Sequence, residues 1–114
     1  MRLASVLALA GAALVAAPAT AAAPKPKTVK IADNYYLPAK LTVKPRTRVT
    51  WRWPAEAGDV HDVKLSSAPK GVRKFHSQPA SSADSFKRTL DKPGRYKIIC
   101  TLHEEMTMTI TVRR

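Results

Sequence analysis

Residues two apart on an extended strand share a face, and three stretches of this chain carry that alternation clearly. His61, Val63 and Leu65 make one inward row, and Tyr96, Ile98 and Cys100 make a second. Met106, Met108, Ile110 and Val112 make a third, opposite an outward row of Thr107, Thr109 and Thr111. The wider pattern predicts strands at 28–32, 41–43, 48–53, 61–65, 85–89, 96–100 and 107–112. Turn signals at Leu37-Pro38, Lys44-Pro45 and Lys92-Pro93-Gly94 separate several of them. Trp51 and Trp53 share a strand face and read as core. Residues 66–84 are rich in Ser, Pro and Ala and lack helical periodicity, so they read as a long connection with at most a short helical turn. Seven to eight short strands and no long helix predict an all-β sandwich.

The amino terminus follows a different pattern. Met1-Arg2 precedes an apolar run from Leu3 to Ala17 and then the small residues Ala19-Thr20-Ala21. This is the layout of a signal peptide, too short in its apolar part to span a bilayer comfortably. Cleavage after Ala21 satisfies the small-x-small rule. The expected organisation is a signal peptide over 1–21, a Pro/Lys-rich leader over 22–27 and one domain over 28–114. The mature chain is then secreted or periplasmic.

Charge narrows the partners. Losing Arg2 with the signal leaves 19 basic residues against 8 acidic ones, a formal charge of +11. The basic residues are scattered rather than gathered into a tract, and an exported protein rarely meets nucleic acid, so no nucleic-acid role is expected. An acidic protein partner or an anionic cell envelope suits the charge better. The mature length suffices for one core, here expected as a monomer. The single Cys100 excludes an internal disulfide and needs another explanation.

The segment Cys100-Thr101-Leu102-His103-Glu104-Glu105-Met106 supplies one. A thiolate, an imidazole and a thioether, each separated from the next by two residues, can wrap one ion from a single loop. His61 then adds a second imidazole from a distant strand. Two His and one Cys in a plane with a long axial Met suit copper cycling between Cu(I) and Cu(II). Without its downstream neighbours Cys100 would read as a buried small hydrophobe. Met108 reads as core, His76 as a solvated loop residue, and Glu104 and Glu105 as solvated loop charges.

Several separated pieces resemble the cupredoxins, in particular the plastocyanin and amicyanin type, over nearly the whole mature length. They are Leu41-Thr42-Val43 running into Val49-Thr50-Trp51, then His61-Asp62-Val63, Lys92-Pro93-Gly94-Arg95-Tyr96, and Cys100-Thr101-Leu102-His103 with Met106. The resemblance implies a Greek-key sandwich with one type 1 (blue) copper at its pole, bound by His61, Cys100, His103 and Met106. It also implies electron transfer through the exposed edge of His103. Asp62 stands where the family commonly has Asn, and an ionised carboxylate accepts hydrogen bonds without donating any. The turn that usually carries Gly reads Lys44-Pro45-Arg46-Thr47, which suggests a different turn type. Glu104-Glu105 replaces a Pro-containing sequence and suggests a more polar docking surface.

The leading expectation is therefore an exported carrier of single electrons, not an enzyme. A copper-binding or copper-delivery protein would use the same ligands and exchange its metal with a partner. Three histidines cannot furnish the extra centre of a multicopper oxidase. A structural zinc site could use Cys100, His61 and His103 and would be colourless.

Overall fold

A computed structural model describes residue 11 and residues 22–114. The expected signal peptide lies, apart from Gly11, outside the described residues. The rest forms eight strands and no helix among the described residues: β1 (Lys27–Ala32), β2 (Tyr35–Leu37), β3 (Lys40–Val43), β4 (Thr47–Arg52), β5 (Lys64–Ser67), β6 (Ser85–Leu90), β7 (Gly94–Cys100) and β8 (His103–Val112). They make two four-stranded sheets, in the orders β2-β1-β4-β6 and β3-β8-β7-β5. The pairs β1/β4 and β3/β8 are parallel and the others antiparallel. The fold is the all-β sandwich that the alternation predicts.

The inward rows meet between the sheets. Val29, Ile31, Val49 and Trp51 come from one sheet, and Leu65, Tyr96, Ile98, Met108 and Ile110 from the other; all are essentially inaccessible to water. Trp51 is fully buried, and its indole N–H donates to the Met108 sulfur at 3.3 Å. Both Met108 and the tryptophans are thus core, as expected. Full burial of large side chains of this kind contributes about 1.5–3 kcal/mol each.

Three expectations are corrected. The strand predicted from 61 begins only at Lys64, because residues 61–63 pair with the 77–80 connection instead of β7. His61 bridges Ala80 through two backbone hydrogen bonds, and the Ser77 amide donates to the Val63 carbonyl. The inward row nevertheless holds, since His61, Val63 and Leu65 are all buried. Second, the short strand β2 was not anticipated. Its neighbour Pro38 marks a turn, and a three-residue strand leaves almost no alternation to read. Third, the turn without Gly keeps a left-handed residue: Arg46 has φ 70°, after Pro45, and Thr47 closes the turn through its amide and hydroxyl on the Lys44 carbonyl.

Topology fixes two opposite poles. At one lie the ends of β1, β4 and β7 and the starts of β5, β6 and β8. At the other lie the starts of β1, β4 and β7 and the ends of β3, β6 and β8.

Candidate metal centre

Cys100 ends β7 and His103 begins β8, joined by the two-residue turn Thr101-Leu102. The hairpin register pairs Ile98 with Met108 and Ile99 with Thr107, then jumps to pair Cys100 with His103. Continued without the jump, it would set Cys100 opposite Met106. Residues 104–106 are therefore a bulge in β8, and the single tight loop expected from 100 to 106 is instead a closed turn followed by a bulge. The jump brings the His103 Nδ1 to 3.6 Å from the Cys100 sulfur. Met106 returns inward and is buried at the same pole, whereas Glu104 and Glu105 are exposed.

His61 arrives from the other side of the sandwich. Its ring lies 4.8 Å, centroid to centroid, from that of His103. Ligand atoms of His61, Cys100 and His103 all fall within 4.8 Å of one another. Two of the three side chains are buried, and the His103 side chain keeps 27% of its surface exposed.

The His61 ring is held by its far nitrogen. Nε2 lies 2.6 Å from an Asp33 carboxylate oxygen. That oxygen also accepts the Asp59 amide at 3.2 Å. The His61 hydrogen bond is the main cause that holds the Asp33 carboxyl below its ordinary value, against partial desolvation, with the Asp59 amide assisting. A carboxylate on Nε2 keeps the proton there and leaves a lone pair on Nδ1. Nδ1 is completely buried and has no hydrogen-bond partner among the described residues. An orphaned imidazole nitrogen inside a protein costs free energy unless something else fills its need. It sits in the group that includes the Cys100 thiol and the His103 ring, where a metal ion would satisfy it. Gly58 permits the arrangement, since a Cβ there would lie 2.6 Å from the second Asp33 oxygen.

Asp62 buttresses the turn between Cys100 and His103. Its carboxylate accepts the Thr101 amide at 2.7 Å and a short hydrogen bond from the Thr101 hydroxyl, which pins the turn next to Cys100. It also faces His76 Nε2 at 2.8 Å. Burial opposes its ionisation, yet the hydrogen bonds from His76 and Thr101 outweigh burial and hold the carboxyl below its ordinary value. The Asp62 carbonyl accepts the Tyr36 hydroxyl at 2.6 Å, and the His61 carbonyl accepts the Trp53 indole N–H at 3.3 Å. The replacement of Asn by Asp is thus met by neighbours that donate. His76 is an exposed loop residue, as expected, and its ring is also a partner of Asp62.

Sequence reasoning brought His61, Cys100, His103 and Met106 to one pole and missed Asp33, Thr101 and Tyr36. Asp33 lies in the turn between β1 and β2, 28 residues from His61. No local spacing links the two.

A β-sandwich carrying two imidazoles and a thiol at one pole is a frame for a single soft or borderline metal ion. A family model for the cupredoxin-like domain matches residues 5–112, and the chain belongs to that family. Among solved structures, a pseudoazurin from Sinorhizobium meliloti is 23% identical at a TM-score of 0.67, covering 79% of this chain and 75% of that one. A reduced Cu(I) form of an amicyanin variant is 27% identical at a TM-score of 0.65, covering 75% and 80%. A copper-containing nitrite reductase from Thermus scotoductus is also 27% identical at a TM-score of 0.65, over 88% of this chain but only 25% of its own. No curated protein sequence matches the chain.

Proposed function

We propose that this chain is an exported type 1 copper protein that carries single electrons between redox partner proteins. His61, Cys100 and His103 would hold the metal, with Met106 as a weaker fourth donor. The reading rests above all on the buried, unpartnered Nδ1 of His61 beside the Cys100 thiol and the His103 ring. The amicyanin similarity, in a Cu(I) form, supports copper as the metal. When bound, copper supplies a one-electron couple between Cu(I) and Cu(II) that soft sulfur and imidazole donors tolerate in both states.

The protein's own contribution is to hold the donors still. Asp33 fixes the His61 ring, Asp62 fixes the turn after Cys100, and the sandwich fixes Met106, so little has to move when the charge changes. The partly exposed edge of His103 is where a partner's redox centre can approach. Carriage rather than catalysis fits the histidine inventory: two belong to the site and the third is held by Asp62. The chain is read as a secreted or periplasmic monomer. Its positive body steers it towards partners and surfaces of opposite sign, an acidic redox protein or the anionic cell envelope.

The test is to load the mature chain with Cu(II), record its visible spectrum and titrate it with reductant. An intense thiolate-to-copper band that bleaches with one electron per copper and returns on reoxidation is expected. A colourless protein, or colour lost irreversibly on reduction, contradicts the reading. Ready copper transfer to a chelator without a reversible couple would favour metal delivery instead.

A further inference from the structure

Charge is not spread evenly over this sandwich. Seven of the chain's 8 acidic residues lie at the metal pole: Asp33, Glu56, Asp59, Asp62 and Asp84 in loops and turns, and Glu104 and Glu105 in the bulge at the start of β8. The opposite pole is cationic. Lys25, Lys27, Lys44, Arg46, Arg113 and Arg114 are all exposed around two adjoining clefts of about 520 and 800 Å³. Lys92 and Asp91 sit beside them and offset each other. The grouping follows from the topology, because these residues lie beside the starts of β1, β4 and β7 and the ends of β3 and β8.

Apolar exposure divides the two poles as well. Among the described residues, the exposed large apolar side chains are Tyr35, Leu37, Val60 and Leu102. Leu102 lies in the Cys100–His103 turn, Val60 precedes His61, and Tyr35 and Leu37 line a cleft with Asp33. None lies at the cationic pole. A protein interface has an apolar, desolvated centre, which the metal pole offers and the cationic pole does not. A surface of exposed Lys and Arg without an apolar centre matches a plane of anionic headgroups, where each basic residue contributes independently.

We infer that the pole built from Lys25, Lys27, Lys44, Arg46, Arg113 and Arg114 docks on an anionic phospholipid surface and holds the metal pole facing away from the bilayer. Six residue steps of β7 separate Gly94 from Cys100, roughly 20 Å of strand, so the metal centre stands more than one Debye length from the headgroups at physiological salt. Docking this way confines the carrier to the membrane plane while leaving His103 free for a protein partner. The use of this orientation in electron transfer rests on the copper reading above; the docking itself does not.

The experiment is sedimentation of the metal-free chain beginning at Ala22 with lipid vesicles. All eight strands lie within it. Vesicles of phosphatidylcholine alone are compared with vesicles containing phosphatidylglycerol, at low and high salt. Binding only to the anionic vesicles, and release by salt, is expected. Neutralising Lys25, Lys44 and Arg114 together to Gln should weaken it about a hundredfold, at about fivefold per residue. Neutralising Lys64, Lys87 and Lys97, which carry the same charge elsewhere, should weaken it less than about tenfold, and Glu104→Gln with Glu105→Gln should change it less than about twofold. Equal losses in the two lysine and arginine sets would mean that net charge alone acts, and would overturn the assignment of the pole. No binding to phosphatidylglycerol vesicles, even alongside binding to an acidic protein or a polyanion, would overturn the lipid surface. Since the protein carries no metal in this assay, its result stands apart from that of the copper titration.

Discussion

The two sides of the metal centre are built by different means. On one side, a single hairpin delivers Cys100, His103 and Met106 within seven residues, and a shift of register does the aiming. On the other, His61 lies outside any strand and is oriented by groups from other parts of the fold: Asp33 on its Nε2, Ala80 on its backbone and Trp53 on its carbonyl. The hairpin side carries its chemistry in its spacing. The His61 side carries it in tertiary contacts, which orient a proposed ligand without contributing one. Substitutions on the hairpin should therefore abolish or transform the site, whereas those on the His61 side should grade it.

The sharpest contrast comes from Cys100→Ser. The thiolate is the source of the expected visible band, so the band should vanish completely while circular dichroism still reports a β-sandwich. Persistence of the colour would remove Cys100 from the ligand set.

Within the hairpin, the two inward methionines should separate. Met108→Ala removes a fully buried side chain and the acceptor of the Trp51 N–H, and should cost about 2–5 kcal/mol in chemical denaturation. Met106→Leu nearly conserves volume, should cost less than about 1.5 kcal/mol, and should shift the reduction potential. A potential that moves with Met108 and not with Met106 would exchange their roles.

On the His61 side, Asp33→Ala frees the ring and its tautomer without removing a ligand. Copper affinity should fall about 10- to 100-fold, with the blue band retained. Loss of the band would mean that Asp33 is closer to the metal chemistry than a positioning residue, and unchanged affinity would mean that the His61–Asp33 contact does not orient the ligand.

The smallest effect should come from Tyr36→Phe, which deletes the hydroxyl held by the Asp62 carbonyl. A loss of about 1 kcal/mol is expected at neutral pH. Burial, with the negative charges of Cys100 and Asp62 adding to it, pushes the Tyr36 phenol far above its ordinary value of 10.0. The folded state thus keeps a proton that the unfolded state gives up above pH 10. Stability should fall as pH rises beyond that value, and the metal-free Tyr36→Phe protein should fall less steeply there than its parent.

This division also explains what could be read in advance. Alternation along 96–100 and 106–112 gave two strands and their inward faces, and the spacing of Cys100, His103 and Met106 between them gave three of the four proposed ligands, because a hairpin keeps its partners near in sequence. His61 was found through its own inward row, although the backbone there pairs with residues 77–80 and forms only an isolated bridge. Asp33 and His76 escaped detection because a lone carboxylate or imidazole in a turn has no period, and only the fold brings each to its partner. The bulge at 104–106 was equally hidden, since alternation read from Thr107 onward does not report a register lost before it. Charge behaved in the same way. Scattered basic residues gave a positive total and concealed the separation of acidic and basic poles that strand order creates.

The most direct test of the account is X-ray absorption at the copper edge of the Cu(II)-loaded mature protein. The arrangement of His61 Nδ1, His103 Nδ1 and the Cys100 sulfur predicts one short sulfur and two nitrogen neighbours. A copper shell made only of nitrogen and oxygen would contradict it.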